Sequence, residues 1–336
     1  MDSSTSRSEK RFPARAGLLL LAALAAWLGS ALYSVYLSPE VIHYTHGAAI
    51  KNQWADAMTR NYGPKTLIFG GSATEFSIDG ERMVSEHRLP MVNLGRAAGI
   101  GPCVLAESVL ELIRPGDTLI VALEPALLTE PLDQPSLGVQ FSFAMRHPEW
   151  VLDPTLVVGR INGFQAATSL RPGGYHSFTM IGKLLRRQPL YRYQRSDFRR
   201  SGWKQTAVTR PIAGLVVPGP HLSAEGLVLL RQLRRWCDER DVRVAYALPW
   251  SYAPAEMKRA FQSQNVRFLL QMAELLPVLK DPYLGADTRV EHFSDTPLHP
   301  NREGARLHTD ELAREIKNWD IWSVEDLRSL EAELQD

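Results

Sequence analysis

Two short segments of the 336-residue chain carry side chains that could act together in nucleophilic chemistry. The first is the turn Gly70-Gly71-Ser72, which follows an apolar run and presents a serine hydroxyl. The second contains Asp295 and His299, just before the last long helical pattern. A serine nucleophile is activated by an imidazole whose second nitrogen is oriented by a carboxylate. Taken singly, each segment is also typical of an ordinary helix cap.

Together, the two segments resemble the sequence blocks of the SGNH (GDSL-like) hydrolase superfamily. Gly70-Gly71-Ser72 is similar to its Gly-Asp-Ser block, and Asp295 to Pro300 is similar to its Asp-x-x-His-Pro block with one extra residue. Gly at the Asp position and the longer spacing resemble the membrane-anchored bacterial branch that includes DltD and the alginate O-acetylation proteins. The resemblance implies that Ser72 is the nucleophile, His299 the base and Asp295 the residue that orients the base.

The resemblance also implies an oxyanion hole, to which the amide of Ser72 would contribute. A glycine after the second strand is expected to add a donor, with Gly99 as the first candidate and Gly95 as the second. The superfamily usually supplies an Asn after the next strand, where this chain has Glu124. An ionised Glu only accepts hydrogen bonds and cannot stabilise an oxyanion. Either Asn93 or backbone amides complete the hole, or catalysis is weak or absent.

Three further residues are expected to line the site: Gly71, Glu124 and His292. For His292 the alternative is a purely structural histidine. The sequence contains no GxSxG, Walker A, HExxH or GxGxxG pattern, and its two cysteines, Cys103 and Cys237, lack the spacing of a zinc site. We therefore expect neither a metal nor a cofactor.

Short apolar runs that end at Gly or Pro predict the strands that would position these residues. They cover residues 65–69, 91–94, 118–123 and 242–248. Amphipathic patterns predict helices at 104–113, 224–240, 254–276 and 302–319, the second behind a Ser223 N-cap. Strands alternating with helices indicate a doubly wound α/β fold with a mostly parallel sheet. The resemblance implies the three-layer, flavodoxin-like arrangement of SGNH hydrolases.

The predicted organisation has five parts. Residues 1–15 form a basic tail, 16–37 a transmembrane helix, 38–64 a connector, 65–320 the α/β domain and 321–336 a C-terminal tail or helix. Residues 129–221 interrupt the strand and helix rhythm with many Pro and Gly residues. We interpret them as an insertion within the domain.

The segment Ala16 to Leu37 contains 22 residues without a charge, which as a helix would be about 33 Å long and span a bilayer. Basic residues precede it and none follows directly, which predicts a cytoplasmic N-terminus and an extracytoplasmic domain at the inner membrane. A cleaved signal peptide is the alternative, but the apolar run is longer than such segments have.

The net charge is +1, from 38 basic and 37 acidic residues, so no global field favours nucleic acid. Basic and aromatic residues alternate between Lys183 and Lys204. This pattern could bind an anionic glycan or lipid headgroups, although a solvated surface is the default interpretation. The candidate binding residues are Tyr191, Arg192, Arg195 and Trp203.

Three functions are compatible with the sequence. The first is an O-acyltransferase that acetylates a cell-surface or exported polysaccharide, for which the resemblance implies a multi-pass membrane partner that supplies the acyl group. The second is a carbohydrate esterase with the same three residues. The third is a non-catalytic binding or scaffold subunit of a polysaccharide assembly machine. We favour transfer, because the resemblance is to membrane-tethered transferases.

Overall fold

Four apolar runs form a parallel sheet in the computed structural model, which describes residues 11–132, 135–172, 174–206 and 221–335. The strands are β1 (Thr66–Gly70), β2 (Met91–Asn93), β3 (Thr118–Ala122) and β4 (Arg243–Tyr246). They pair in the order β2-β1-β3-β4, and every pairing is parallel. The predicted α/β class with a mostly parallel sheet is therefore confirmed.

Both faces of the sheet are covered, because alternate residues of a strand point to opposite sides. Leu67 and Leu119 belong to one hydrophobic core, and their neighbours Ile68 and Ile120 belong to a second one. The helices around the sheet are α3 (Ser72–Ser77), α4 (Gly80–Ser85), α5 (Pro102–Leu110), α6 (Ala126–Thr129), α11 (Ala224–Asp238), α12 (Lys258–Ala273), α13 (Arg302–Asn318) and α14 (Val324–Gln335). Helices α5 and α11 pack in the first core and α13 in the second.

Several local expectations hold. The Ser223 hydroxyl accepts a hydrogen bond from the Gly226 amide and caps α11, as predicted. Residues 324–335 of the C-terminal segment form α14, which packs on α12. Short strands β5 (Ser251–Tyr252) and β6 (Ala286–Asp287) pair with each other in parallel beside the main sheet. This small sheet anchors the loop that precedes α13, because the Tyr252 amide donates to the Pro297 carbonyl.

A long N-terminal helix is apolar enough to cross a membrane. Helix α1 (Arg11–Leu32) continues through a π-helical turn (Tyr33–Leu37) into α2 (Pro39–Tyr62). Among the described residues, one helix, Arg15–Tyr62, is long and apolar enough to span a bilayer. Only 11% of its most apolar stretch is buried against the rest of the protein. The predicted connector at 38–64 is thus mostly helical, and α2 packs against β2 with Tyr44, Lys51 and Trp54 buried.

The predicted insertion contains short helices rather than a second sheet. They are α7 (Ser136–Ala144), α8 (Glu149–Leu152), α9 (Gly163–Ser169) and α10 (Gly174–Leu185), and residues 133–134, 173 and 207–220 of this stretch lie outside the described residues. Helix α7 packs against α2 and the π-helical turn. An irregular segment, residues 190–204, contains one 3-10 turn (Arg195–Asp197), contacts Asp295 through Tyr193 and returns to α3 through Trp203.

The strand order reverses between β1 and β3, since β2 lies on one side of β1 and β3 on the other. Ligand sites of open α/β sheets lie beyond the carboxyl ends of the strands at such a reversal. Ser72 follows β1 and Glu124 follows β3, so both lie at this point of the sheet.

Candidate active site

Ser72 is the first residue of α3, and the turn before it is held by a carboxylate from the neighbouring strand end. The buried Glu124 side chain accepts hydrogen bonds from the amides of Gly71 (2.9 Å) and Ala73 (2.8 Å). A side chain at Gly71 would collide with this carboxylate, which explains the glycine. Neither the amide nor the hydroxyl of Ser72 has a hydrogen-bond partner among the described residues.

The charge of Glu124 is unusual in this position. Burial raises the pKa of the Glu124 carboxyl, although the Ala73 and Gly71 amides favour its charged form. An acceptor therefore lies where the resemblance expects a donor. Of the three amides at this turn, that of Ser72 is the one left for an oxyanion.

Asp295 and His299 form a pair inside a tight turn. The Ser294 amide donates to the His299 carbonyl at 2.8 Å, and a bridge between Phe293 and Pro300 closes the turn. His299 Nδ1 consequently lies 2.8 Å from an Asp295 carboxylate oxygen. Such a bond fixes the imidazole tautomer and leaves Nε2 to act as the base.

The helix that starts at Ser72 also positions His299. Phe76, one turn further along α3, stacks on the His299 ring with 4.1 Å between centroids and 11° between planes. The imidazole therefore packs directly on the short helix whose first residue is Ser72. Two segments more than two hundred residues apart are brought together in this way.

Asp295 has two further partners that no local sequence pattern indicated. The Tyr193 hydroxyl donates to its second carboxylate oxygen at 2.8 Å and lies 3.3 Å from His299 Nδ1, and the Arg192 guanidinium pairs with the same oxygen. Burial would raise the pKa of Asp295, but hydrogen bonds and charges from His299, Tyr193 and Arg192 outweigh it and hold the pKa below its ordinary value. The carboxylate thus stays ionised and oriented.

The candidate oxyanion donors on the β2 side have different surroundings. The Asn93 amide group donates to the carbonyls of Thr74 (2.9 Å) and Ile78 (2.7 Å), and its oxygen accepts from the Gly95 amide (2.9 Å). Asn93 and Gly95 therefore bind the far end of α3, where a side chain at Gly95 would collide with its backbone. Gly99 lies exposed on a single 3-10 turn.

Other candidate residues are used by the fold. His292 Nδ1 lies 2.7 Å from an Asp287 carboxylate oxygen, in agreement with the structural alternative. The Trp203 indole is 6% exposed and donates to the Phe76 carbonyl at 2.7 Å, so it does not face solvent. The Tyr191 hydroxyl donates to that of Tyr44, whereas Arg195 is exposed. Of the four candidate binding residues, Tyr191 and Arg192 line one cavity together with Lys183 and Tyr193, and Arg195 and Trp203 do not line it.

A buried ionic cluster lies on the inner side of α3. Glu75 carries one lysine on each carboxylate oxygen, Lys51 at 3.2 Å and Lys204 at 3.3 Å, and all three side chains are essentially inaccessible. The Lys204 ammonium also lies 3.8 Å from the centroid of the Tyr193 ring. Glu75 thus links α3, the N-terminal helix and the segment that orients Asp295.

A small pocket opens beside Glu124. It offers about 20 Å³ of space between Glu124, Leu248 and Leu298, the residue before His299. Ser251 Oγ and Asn265 Oδ1, which also line the pocket, have no hydrogen-bond partner in the described part of the chain. A space of this size holds about one group as large as a water molecule.

One group of side chains has a geometry that could hold a metal ion within the described ranges, and it lies on the surface. His147 Nδ1 is 3.1 Å from a Glu111 oxygen and 2.7 Å from a Glu149 oxygen. None of the three residues belongs to the turns that carry Ser72 or His299. This group of side chains therefore has no bearing on the chemistry of those two turns.

The chain was compared with models of known protein families, with curated proteins and with solved structures, and no match was found in any of the three.

Proposed function

We propose that the chain is a membrane-anchored, extracytoplasmic O-acyltransferase of the SGNH type that acetylates a polysaccharide through Ser72, His299 and Asp295. The observation that carries the proposal is the 2.8 Å pair of Asp295 and His299, stacked on the helix that begins at Ser72. A carboxylate and imidazole pair at the carboxyl end of a parallel sheet, packed on the helix that begins with Ser72, supplies the groups that nucleophilic catalysis needs. Within the described residues Ser72 Oγ forms no hydrogen bond with His299, so the proposal requires the two side chains to approach each other when the acyl donor binds.

In this mechanism the Ser72 oxygen attacks the carbonyl carbon of an acyl donor while His299 Nε2 accepts the hydroxyl proton. Asp295 keeps the other imidazole nitrogen protonated and stabilises the imidazolium. The tetrahedral intermediate collapses when the donor's leaving oxygen takes the proton from His299, and an ester of Ser72 remains. An acceptor hydroxyl then attacks this ester, gives its proton to His299 and leaves as the acetylated product, while Ser72 regains its hydrogen.

The acyl group that we propose is acetyl, because the sequence resembles the alginate O-acetylation proteins. The pocket beside Glu124 is lined by neither Ser72 nor His299, so its size does not select the acyl group.

Transfer to a glycan hydroxyl and hydrolysis by water share every step up to the acyl-enzyme, so an esterase remains the closest alternative. The apolar helix favours transfer, because a tether raises the local concentration of the domain near membrane-bound donors and polymers. In this proposal the N-terminus is cytoplasmic at the inner membrane, and a multi-pass partner delivers the acyl group.

A specific observation supports a non-catalytic scaffold as the second candidate. Glu124 accepts hydrogen bonds from two of the three amides around Ser72 and thus places a carboxylate where negative charge would have to develop. In the catalytic proposal the free Ser72 amide stabilises the oxyanion. In the scaffold alternative Glu124 permanently blocks the site.

Labelling of the full chain in detergent with a fluorophosphonate distinguishes these possibilities. We expect the wild type to be labelled and the Ser72→Ala and His299→Ala variants to be unlabelled, while Ser85→Ala, at an exposed serine on α4, reacts like the wild type. Turnover of an acetyl ester that increases with oligosaccharide acceptors would identify a transferase. A folded wild type that is not labelled would support the scaffold.

A further inference from the structure

A second apolar surface lies beside the membrane-spanning helix. Four large side chains of α10 are between 53% and 81% exposed: Phe178, Ile181, Leu184 and Leu185. With about 100° of rotation per residue, they occupy one side of the helix. Lys183 lies on the opposite side, and Arg186 and Arg187 follow the helix in a turn in which Arg187 has a positive φ of 52°. An apolar side with a basic opposite side is typical of helices that lie in a membrane interface.

The contact with the spanning helix sets the depth of α10. The Tyr33 hydroxyl donates to Met180 Sδ at 2.8 Å, and Met180 lies in the middle of α10. Tyr33 is four residues before the end of the apolar run at Leu37, which corresponds to about 6 Å along a helix. Interfacial helices bury their apolar side by about 5–10 Å. The α10 helix is therefore at the level of the boundary between headgroups and acyl chains.

From this geometry we infer that α10 lies in the outer surface of an anionic bilayer as a second membrane contact. On the spanning helix, Leu32, Tyr36 and Leu37 near the contacting Tyr33 are also exposed. Removing the four apolar side chains of α10 from water favours their transfer to lipid. Basic residues in and directly after the last turn of α10 match anionic headgroups.

This contact has a direct connection to the candidate active site. The Lys183 ammonium donates to the Leu190 carbonyl at 3.2 Å, and the chain then continues to Arg192 and Tyr193, which both bind Asp295. Six residues separate the end of α10 from Arg192. Helix α10 thus holds the segment that orients Asp295 close to the membrane surface. The inference does not depend on the proposed catalytic activity.

The test uses the full chain in lipid nanodiscs with an environment-sensitive dye on a single introduced cysteine. Both native cysteines are buried, and the unsubstituted chain measures their background labelling. Ile181→Cys reports on the apolar side of α10, and Val228→Cys, at a 41% exposed position on α11, is the matched control. Leu185→Cys is a second probe, so failure of one variant to fold does not prevent the test.

We expect the dye at Ile181 and Leu185 to emit at shorter wavelength than at Val228 and to be quenched by lipids with spin-labelled acyl chains. The blue shift should be larger in phosphatidylglycerol than in phosphatidylcholine discs. Emission at both α10 positions equal to that at Val228, with quenching by aqueous iodide, would overturn the inference and leave the surface for a protein partner. Equal shifts in the two lipids would refute a preference for anionic surfaces.

Discussion

Replacing Glu75 by Gln should destabilise the domain strongly, because Glu75 is the counter-ion of two buried ammonium groups. Burial would raise the pKa of the Glu75 carboxyl, but the charges of Lys204 and Lys51 outweigh it and lower the pKa from 4.5 to about 2. This change corresponds to about 3 kcal/mol of stability at neutral pH. Removing one partner of a buried ion pair typically costs about 3–5 kcal/mol of folding stability, a range that includes this value.

Thermal unfolding in detergent measures the effect. At about 2 °C per kcal/mol for a domain of this size, Glu75→Gln should lower the Tm by about 6–10 °C. Because the folded-state pKa lies below the unfolded one, the stabilisation is complete above about pH 4.5 and is lost as the pH falls towards 2. The difference between Glu75→Gln and the wild type should therefore shrink over that interval.

Two comparisons make the result specific. Glu303→Gln removes an exposed carboxylate paired with Arg306 and should lower the Tm much less than Glu75→Gln does. Combining Glu75→Gln with Lys51→Met and Lys204→Met removes the carboxylate together with both of its ammonium partners and should restore most of the stability. A Tm of Glu75→Gln no lower than that of Glu303→Gln, or a triple variant less stable than Glu75→Gln, would refute this role of Glu75.

Three further predictions concern the site and the pH dependence of stability. Glu124→Gln should slow fluorophosphonate labelling of Ser72 about tenfold, because the Gln side chain has one acceptor oxygen and leaves either the Gly71 or the Ala73 amide without its partner in the turn before Ser72; a faster rate would show that the negative charge of Glu124 opposes the reaction. Tyr193→Phe should slow labelling about tenfold through loss of the 2.8 Å hydrogen bond to Asp295, and an unchanged rate would assign the hydroxyl no positioning role. Burial and the Asp281 charge raise the pKa of Glu315 well above 4.5, so the wild type should lose stability as the pH rises, whereas Glu315→Gln should lose less. If the Tm of the wild type and that of Glu315→Gln change equally between about pH 5 and 9, the raised pKa of Glu315 is contradicted.

The strands could be predicted from sequence because each is a short apolar run closed by a breaker, which fits a strand buried on both faces. The long α2 helix was not predicted. Its buried side includes Lys51, and a charged residue at a core position conceals the apolar periodicity. The burial of Lys51 depends on Glu75 from another element, and the linear pattern contains no information about that partner.

In the site, too, contacts between residues close in sequence could be predicted, whereas contacts between distant residues could not. The pairing of Asp295 with His299 was predictable because a tight turn places the two side chains together. The contributions of Arg192 and Tyr193 were not, since about one hundred residues separate them from Asp295 and they arrive through the folding of the insertion. The apolar run at 118–123 predicted that Glu124 directly follows a strand, but only the structure shows that its carboxylate accepts the Gly71 and Ala73 amides.

The most direct test of the account is to locate the acyl group on the protein itself. The full chain is incubated with an activated acetyl ester, quenched with acid and digested, and its peptides are examined by mass spectrometry. We predict one acetyl group on Ser72 in the wild type, none in Ser72→Ala or His299→Ala, and its disappearance when a glycan acceptor is added. A folded wild type that turns over the ester without an acetyl group on Ser72, or that neither reacts nor becomes acetylated, would contradict the central claim.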